Sequence, residues 1–231
     1  MISGVLFDLD NTLIDRDIAF ENWAHYFATV QLQLIEDELA KVEVEWLTAL
    51  DAGGYGPKPA MFAAIHKRYP NHIADPQSLA ESFTAELRDH LPPLDEPTIA
   101  LLKDLETAGI PWGIVTNGSP TQLKKLERVG LDGAKCVVVS GILGIRKPEP
   151  GIFLAAAEGL GLEPGNILFV GDNVEADIIG AANVGMTTAW MHRGRSWPVN
   201  EAGIEPYLVI EHVAEIRGML AVPRAAPPGC A

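Results

Sequence analysis

Six short runs of apolar residues recur along the chain. Polar residues do not alternate within them, a pattern that is typical of parallel strands buried on both faces of a sheet. The runs comprise residues 2–7, 112–115, 136–139, 167–170, 187–191 and 207–210. The sequence therefore predicts a sheet of six short, mainly parallel strands.

Segments with helical spacing of apolar residues lie between the later runs. The segment 98–108 carries leucines at this spacing and stops at Gly-Ile-Pro. The segment 120–129 opens with a proline, which a first helical turn accepts, and continues with Leu123, Leu126 and Val129. The segments 150–160 and 174–184 each end near a glycine. This alternation predicts an α/β fold with a doubly wound, Rossmann-like parallel sheet.

Residues 16–92 have a different pattern, with long amphipathic stretches and no convincing strand. The stretches span roughly residues 17–50, 58–69 and 76–90. We therefore expect an all-helical domain at 16–92, inserted into a Rossmann-like core formed by 1–15 and 93–222. Residues 223–231 are rich in Pro, Ala and Gly and are expected to form a flexible tail.

The apolar runs, the first residues and the cysteines indicate the cellular compartment in which the protein is expected to work. No apolar run reaches the roughly 18 residues that cross a bilayer, and the first eight residues lack a basic segment and already include Asp8. The two cysteines, Cys136 and Cys230, do not suggest a disulfide framework. These features favour a cytoplasmic protein.

The net charge of −14 disfavours non-specific binding to nucleic acid or to an anionic membrane. An anionic substrate would need local positive charge from a metal ion, a lysine or backbone N–H groups. We expect a small-molecule substrate, no nucleic-acid or membrane partner, and a monomer or homodimer.

Polar residues follow four of the predicted strands, either directly or after a short loop. They are Asp8, Thr116, Lys147 and Asp172. In an open parallel sheet, ligands bind outside the carboxyl ends of the strands, so these side chains are expected to converge. Asp8 and Asp10 leave the first strand on the same side, and two adjacent carboxylates favour a divalent cation that keeps one of them ionised.

The ordered motifs resemble those of the haloacid dehalogenase superfamily. Residues 8–12 match its DxDx[TV] motif, and Thr116 matches the Ser or Thr that ends the next core strand. Lys147 matches the lysine ahead of a helix, and Gly171-Asp172 with Asp177 matches the acidic cluster. The resemblance covers residues 5–177 and implies that the helical insert is a cap domain of the superfamily's first cap class.

The resemblance also implies roles for the first two motifs. Asp8 would attack phosphorus and form an aspartyl-phosphate. Asp10 would protonate the leaving oxygen and later deprotonate water, while its backbone carbonyl binds the metal. Thr116 and the N–H of Asn117 would bind phosphate oxygens, aided by the following helix N-terminus.

The third and fourth motifs would complete the site. Lys147 would neutralise the phosphate and the Asp8 charge. Magnesium would be bound by the carboxylates of Asp8 and Asp172 and by the backbone carbonyl of Asp10, because hard oxygen ligands suit this ion. Asp177 would orient Lys147 or a metal-bound water, and Asn173 would reach the metal through water or cap a helix. The scattered histidines have no spacing that suits zinc.

Three functions stay open at this point. A magnesium-dependent phosphatase for a small phosphate monoester is favoured, because Asp10 can supply the proton that an alkoxide leaving group needs and a halide does not. A phosphomutase resembling β-phosphoglucomutase shares every core motif. A non-catalytic phosphometabolite-binding protein is the third alternative.

The glycine-rich segment 53–58 of the cap is expected to approach the substrate, because glycines permit close backbone contact. Tyr55 and Lys58 are therefore candidate substrate-binding residues. Hinges are expected at 14–16 and at 92–93. The identity of the substrate does not follow from the residues.

Overall fold

The structure is a computed structural model that describes residues 1–34, 36–73, 75–198 and 203–220. The predicted flexible tail at 223–231 and Cys230 lie outside the described residues. The chain divides into two compact units, one formed by Met1–Ile14 and Leu94–Ala231 and the other by Asp15–Pro93. No helix in the described ranges is long and apolar enough to cross a bilayer.

The first unit is built on a parallel sheet, in which six strands are found among the described residues. The strands are β1 (Gly4–Phe7), β2 (Trp112–Thr116), β3 (Cys136–Val139), β4 (Ile167–Gly171), β5 (Thr187–Met191) and β6 (Leu208–Ile210). Their spatial order is β3-β2-β1-β4-β5-β6, and every neighbouring pair is parallel. The order reverses direction between β1 and β4, which is where ligands bind in doubly wound folds.

The central strands are apolar throughout because both of their faces are covered. Every residue of β1, β2 and β4 is buried. Leu6 and Phe169 join a core cluster that also includes Ile152 and Phe153 from the chain that follows β3. Continuous burial explains why the apolar runs show no alternation with polar residues.

The second unit is helical, as its amphipathic pattern predicts. Its helices are α1 (Arg16–Tyr26), α2 (Asp37–Asp51), α3 (Lys58–Arg68) and α4 (Pro76–Asp89). A π-helical turn, Phe27–Gln31, follows α1, so the predicted continuous stretch at 17–50 is two helices. Helix α1 packs on α2 and α4, and α3 packs on α2 and α4, so the four helices enclose one core.

Aromatic side chains fill this helical core. Trp23 is fully buried, and its ring meets that of Phe83 edge to face with centroids 4.7 Å apart. Phe20 and Phe62 also pack against Phe83. The indole N–H of Trp23 donates to Glu86 at 2.8 Å, so the buried ring keeps a polar partner.

A buried ion cluster fixes the end of α2 in the second unit. Asp51 is 2% exposed and accepts two hydrogen bonds from the Arg16 guanidinium, at 2.5 and 2.7 Å. Lys58 donates to the same carboxylate, and the backbone N–H of Gly54 donates to it at 2.8 Å. Burial alone would raise the pKa of Asp51, but the bonds and charges of Arg16 and Lys58 lower it below its usual range.

Replacing Asp51 with asparagine is expected to lower the free energy of unfolding by about 3 kcal/mol, because the buried Arg16 charge loses its closest counter-charge, at 2.5 Å. The stabilisation by ionised Asp51 is present above the ordinary aspartate pKa of 3.8 and is lost as the pH falls below it. Urea denaturation at pH 7 and at low pH measures both effects.

Asp89→Asn is the matched control, since Asp89 is exposed and its pair with Arg88 contributes at most about 1 kcal/mol. Equal stability of Asp51→Asn and the wild type at pH 7 would contradict the expectation.

The helices of the first unit cover the sheet. They are α5 (Glu96–Thr107), α6 (Gln122–Val129), α7 (Ser140–Leu143), α8 (Pro150–Leu160) and α9 (Gly180–Asn183). The predicted helix at 174–184 is a π-helical turn, Val174–Ile179, that continues into α9. The apolar face predicted for α6 is partly wrong: Leu123 is 38% exposed, whereas Gln122 and Lys125 are buried.

Candidate active site

The carboxyl ends of β1 and β4 bring two aspartates together. Asp8 directly follows β1, and its backbone N–H donates to the carbonyl of Val170 in β4 at 2.8 Å. Asp172 directly follows β4. Both carboxylates are buried, with residue exposures of 7% and 2%. The neighbouring strands therefore place two acidic groups at the point where the sheet order reverses.

Lys147 lies among these acids, as its position ahead of α8 predicts. Its ammonium group is 2.5 Å from a carboxylate oxygen of Asp8 and 2.7 Å from one of Asp177. The side chain is 3% exposed, so the charge depends on these partners. A buried amine beside the first aspartate is a source of local positive charge, which an acidic protein would need in order to bind an anion.

Three carboxylates converge beside the amine. Oxygens of Asp8, Asp172 and Asp177 all lie within 4.8 Å of one another. Gly171 makes this arrangement possible, because a Cβ at that position would lie 2.5 Å from the side chain of Asp177. The carboxylate of Asp10 does not join this cluster; of the predicted metal ligands, Asp8 and Asp172 do.

Burial and mutual repulsion disfavour ionisation in this cluster. Burial raises the pKa of Asp8 well above its ordinary value, with further increases from Asp177 and Asp172 that Lys147 opposes. Burial and Asp177 raise the pKa of Asp172 to about 7. Burial would lower the pKa of Lys147, but the charges of Asp177 and Asp8 outweigh it and raise that pKa.

A divalent cation fits this donor set. A cation held by the carboxylate oxygens would stabilise the ionised forms that burial and repulsion disfavour. Hard oxygen donors suit Mg²⁺, which binds through one or two carboxylates and retains several waters. Asp8 and Asp172 are the carboxylates that the sequence assigns to it, and the geometry adds Asp177 as a neighbouring oxygen donor.

Asp172 is held by two side chains that the sequence did not indicate. The indole N–H of Trp190 donates to the backbone carbonyl of Asp172 at 2.9 Å. Arg195 donates to the same carbonyl at 2.7 Å and to the carboxylate at 3.0 Å. Trp190 lies in β5, and Arg195 follows that strand, so the neighbouring strand supports the acid. A surface arginine near a strand end gives no signal of such a contact in one sequence.

The loop after β2 is tied to the lysine. The side-chain amide of Asn117 donates to the backbone carbonyl of Lys147 at 3.0 Å, and its oxygen accepts from the backbone N–H of Lys147 at 2.9 Å. Ser140 accepts a hydrogen bond from the N–H of Gly118 at 3.0 Å. The sequence suggested only the backbone N–H of Asn117, whereas its side chain clamps the lysine segment.

The predicted acid Asp10 and the predicted phosphate ligand Thr116 are linked through α6. Lys125 donates to both carboxylate oxygens of Asp10, at 2.6 and 2.8 Å. Gln122 donates to Asp10 and to the Thr116 hydroxyl, each at 2.8 Å. Neither Gln122 nor Lys125 was predicted from the sequence, although their spacing of three residues places them on one face of a helix.

The remaining predicted site residues lie either at the turn that follows β4 or in the second unit. The side chain of Asn173 caps the helical turn that follows β4 by accepting from the N–H of Ala176 at 2.8 Å. Asp177 accepts from the N–H of Asn173 at 2.9 Å, in addition to its pair with Lys147. Tyr55 and Lys58 lie in the second unit, where Tyr55 is 56% exposed and Lys58 pairs with Asp51.

Comparison with curated proteins finds phosphatases. The chain is 31% identical over 207 residues to the glyceraldehyde 3-phosphate phosphatase of Pyrococcus furiosus, covering 84% of this chain and 82% of that protein. It is 36% identical over 181 residues to the phosphoserine phosphatase of Thermus thermophilus, covering 78% and 71%. The predicted enzyme class, a phosphoric monoester hydrolase, agrees with these names.

Comparison with solved structures supports the same family. The putative hydrolase YfnB from Bacillus subtilis, described as bound to magnesium, superposes with a TM-score of 0.75 at 26% identity and covers 96% of this chain and 99% of that one. The predicted α/β fold is thereby confirmed. Residues 2–185 match the family model described as a haloacid dehalogenase-like hydrolase. The chain therefore belongs to the haloacid dehalogenase-like hydrolase family.

Proposed function

We propose that this chain is a magnesium-dependent phosphatase that hydrolyses a small phosphate monoester through a phosphorylated Asp8. One observation carries the proposal: a buried lysine contacts Asp8, and oxygens of Asp8, Asp172 and Asp177 lie within 4.8 Å of one another. A buried amine and an acidic cluster at the switch point of a parallel sheet can together bind a metal and a phosphoryl group.

The first half of the reaction transfers the phosphoryl group to Asp8. A carboxylate oxygen of Asp8 forms a bond to phosphorus while the bond from phosphorus to the leaving oxygen breaks. The electron pair of that bond goes to the leaving oxygen, which takes a proton from the Asp10 carboxylic acid. Lys147 and the Thr116 hydroxyl would bind the phosphoryl oxygens, where negative charge accumulates.

The second half regenerates the enzyme. The Asp10 carboxylate takes a proton from water as the water oxygen forms a bond to phosphorus. The bond between phosphorus and Asp8 breaks, and inorganic phosphate leaves. The clamp between Asn117 and Lys147 keeps the amine beside the Thr116 loop during both halves.

We propose that Mg²⁺ is held by Asp8 and Asp172, with the backbone carbonyl of Asp10 as the third protein ligand. When bound, Mg²⁺ would supply positive charge that keeps Asp8 ionised and neutralises the phosphoryl oxygens. Asp177 would orient Lys147, which it contacts at 2.7 Å, and Asn173 would support the same turn. The raised pKa values of Asp8 and Asp172 support a need for such a cation.

Asp10 favours a phosphatase over a dehalogenase. A halide leaves without a proton, whereas an alkoxide needs one, and Asp10 is the acid that can donate it. The substrate is proposed to be a small phosphorylated metabolite, as in the names of the relatives above. Action in the cytoplasm as a monomer or homodimer, without nucleic acid or membrane, stays a prediction from the sequence.

Phosphate release from a panel of phosphorylated metabolites tests this function. With Mg²⁺ present, we expect turnover of at least one monoester; excess chelator is expected to remove it, and added Mg²⁺ to restore it. Ranking the panel by kcat/KM identifies the substrate class. Full turnover in excess chelator would contradict the metal's role, and no release from any monoester would contradict the proposed function.

Tyr55 and Lys58 are proposed as substrate contacts, as the glycines of segment 53–58 suggest. The same panel run on Tyr55→Ala examines this part of the proposal separately. The ranking by kcat/KM should change, because a residue that contacts the leaving group discriminates among substrates. An unchanged ranking would exclude Tyr55 as a specificity residue.

A further inference from the structure

Two buried side chains of α6 surround the carboxylate of Asp10. Lys125 contacts both oxygens, at 2.6 and 2.8 Å, and Gln122 contacts one of them at 2.8 Å. Lys125 and Gln122 are 7% and 5% exposed, whereas the Asp10 side chain is 24% exposed. The donors are therefore enclosed in the protein, while the acid that they contact stays accessible.

Gln122 also connects this acid to the phosphate-binding loop. Its side-chain nitrogen lies 2.8 Å from Asp10 and 2.8 Å from the Thr116 hydroxyl oxygen. An amide NH₂ group has two N–H donors, so one side chain can serve both acceptors. The proposed proton donor and a proposed phosphate ligand are thus held at a fixed separation through one amide.

The burial of these two residues is not required by the packing of the sheet. Helix α6 buries Leu126, as apolar packing favours, but it also buries a lysine and a glutamine while Leu123 is 38% exposed. Lysine is rarely buried unless it is paired, because removing its charge from water is unfavourable. Gly118 provides the necessary space, since a Cβ there would lie 2.7 Å from the Gln122 side chain.

We propose that Lys125 and Gln122 are positioning residues that hold the Asp10 carboxyl group in the orientation for proton transfer to the leaving oxygen. The inference rests on the proposed phosphatase function. Proton transfer requires the donor within hydrogen-bond reach of the leaving oxygen, and a displacement of 1 Å costs about 100-fold in rate. A carboxyl group held by three hydrogen bonds cannot rotate freely out of that position.

A comparison of two aryl phosphates in Lys125→Met tests the proposal. Methionine keeps an unbranched apolar side chain but removes the charge and the donors. For phenyl phosphate, a poor leaving group that needs the proton, kcat/KM is expected to fall by about tenfold or more. For 2,4-dinitrophenyl phosphate, whose leaving group departs without a proton, kcat/KM is expected to stay within about twofold.

Companion variants separate positioning from a structural effect. Lys125→Arg is expected to restore most of the phenyl phosphate activity, since arginine can donate to both carboxylate oxygens. Gln122→Met also removes the hydrogen bond to Thr116, so it is expected to lower kcat/KM for both aryl phosphates, but more for phenyl phosphate. It replaces Lys125→Met as the test if that variant does not fold. Lys124→Met is the matched control, because Lys124 is the exposed neighbour on the same helix.

A double-mutant cycle with Asp10→Asn tests directly whether Lys125 acts through Asp10. If Lys125 acts through Asp10, adding Lys125→Met to Asp10→Asn changes kcat/KM for phenyl phosphate by less than about twofold. A full additional loss in the double variant, or equal losses for both aryl phosphates in the single variant, would overturn the inference. Either result leaves the proposed function intact. That function is refuted only by a wild-type protein that releases phosphate from neither aryl compound and from no monoester of the metabolite panel.

Discussion

Asp8→Asn is expected to lower kcat by about 10⁴-fold or more, because a carboxamide is not a nucleophile toward phosphorus. The exchange is nearly isosteric, and the amide oxygen can still accept the hydrogen bond that Lys147 donates to Asp8. Burial penalises the charged form of Asp8, so a neutral side chain at this position should be tolerated. The melting temperature is therefore expected to stay within about 4 °C of the wild type.

Phosphate release and thermal unfolding monitored by circular dichroism measure these two effects. Asp132→Asn is a suitable control, since Asp132 is an exposed aspartate of the same unit. Turnover by Asp8→Asn near the wild-type rate would exclude Asp8 as the nucleophile. Trapping labelled phosphate on the wild type, and none on Asp8→Asn, would provide direct evidence for the phosphorylated aspartate.

Lys147→Met is expected to impair both catalysis and stability. The lysine pairs with Asp8 and Asp177 in a buried site, so its removal leaves those carboxylates without their cationic partner. We expect a loss of about 3–5 kcal/mol in the free energy of unfolding. Because Lys147 is proposed to stabilise the transferring phosphoryl group, the loss of its charge should lower kcat by about 10³-fold.

Magnesium distinguishes the electrostatic origin of this loss from a packing defect. A cation bound by the carboxylates would relieve part of their repulsion, so the increase in melting temperature on adding Mg²⁺ should be larger in Lys147→Met than in the wild type. Lys103→Met, at an exposed position of α5, is the control. Unchanged stability of Lys147→Met in chelator would show that Lys147 does not stabilise the buried carboxylates of Asp8 and Asp177.

The sheet and its acids could be predicted from the sequence because both depend on local patterns. Buried parallel strands are read from continuous apolar runs, and residues directly after such strands reach a common edge. Asp8 and Asp172 follow this rule. Lys147 was placed by its resemblance to a family motif, and the structure gives the reason for its position in two buried ion pairs.

The contacts that support the site were missed because they join residues far apart in sequence. Lys125 and Asp10 are separated by 115 positions, and nothing in either segment indicates the other. The apolar periodicity of α6 was correct for Leu126, which is buried, but wrong for Leu123, which is 38% exposed. From one sequence, two polar residues on the buried side of a helix can be recognised only when the residue that they contact is known.

The side-chain amide of Asn117 bonds both the N–H and the C=O of Lys147, as a neighbouring strand would. Two loops that follow different strands are therefore joined by a pair of hydrogen bonds, which restrains the amine relative to Thr116, the proposed phosphate ligand. An engineered change in the length of either loop would have to conserve this amide, because losing it would release the amine from the loop that carries the proposed anion site.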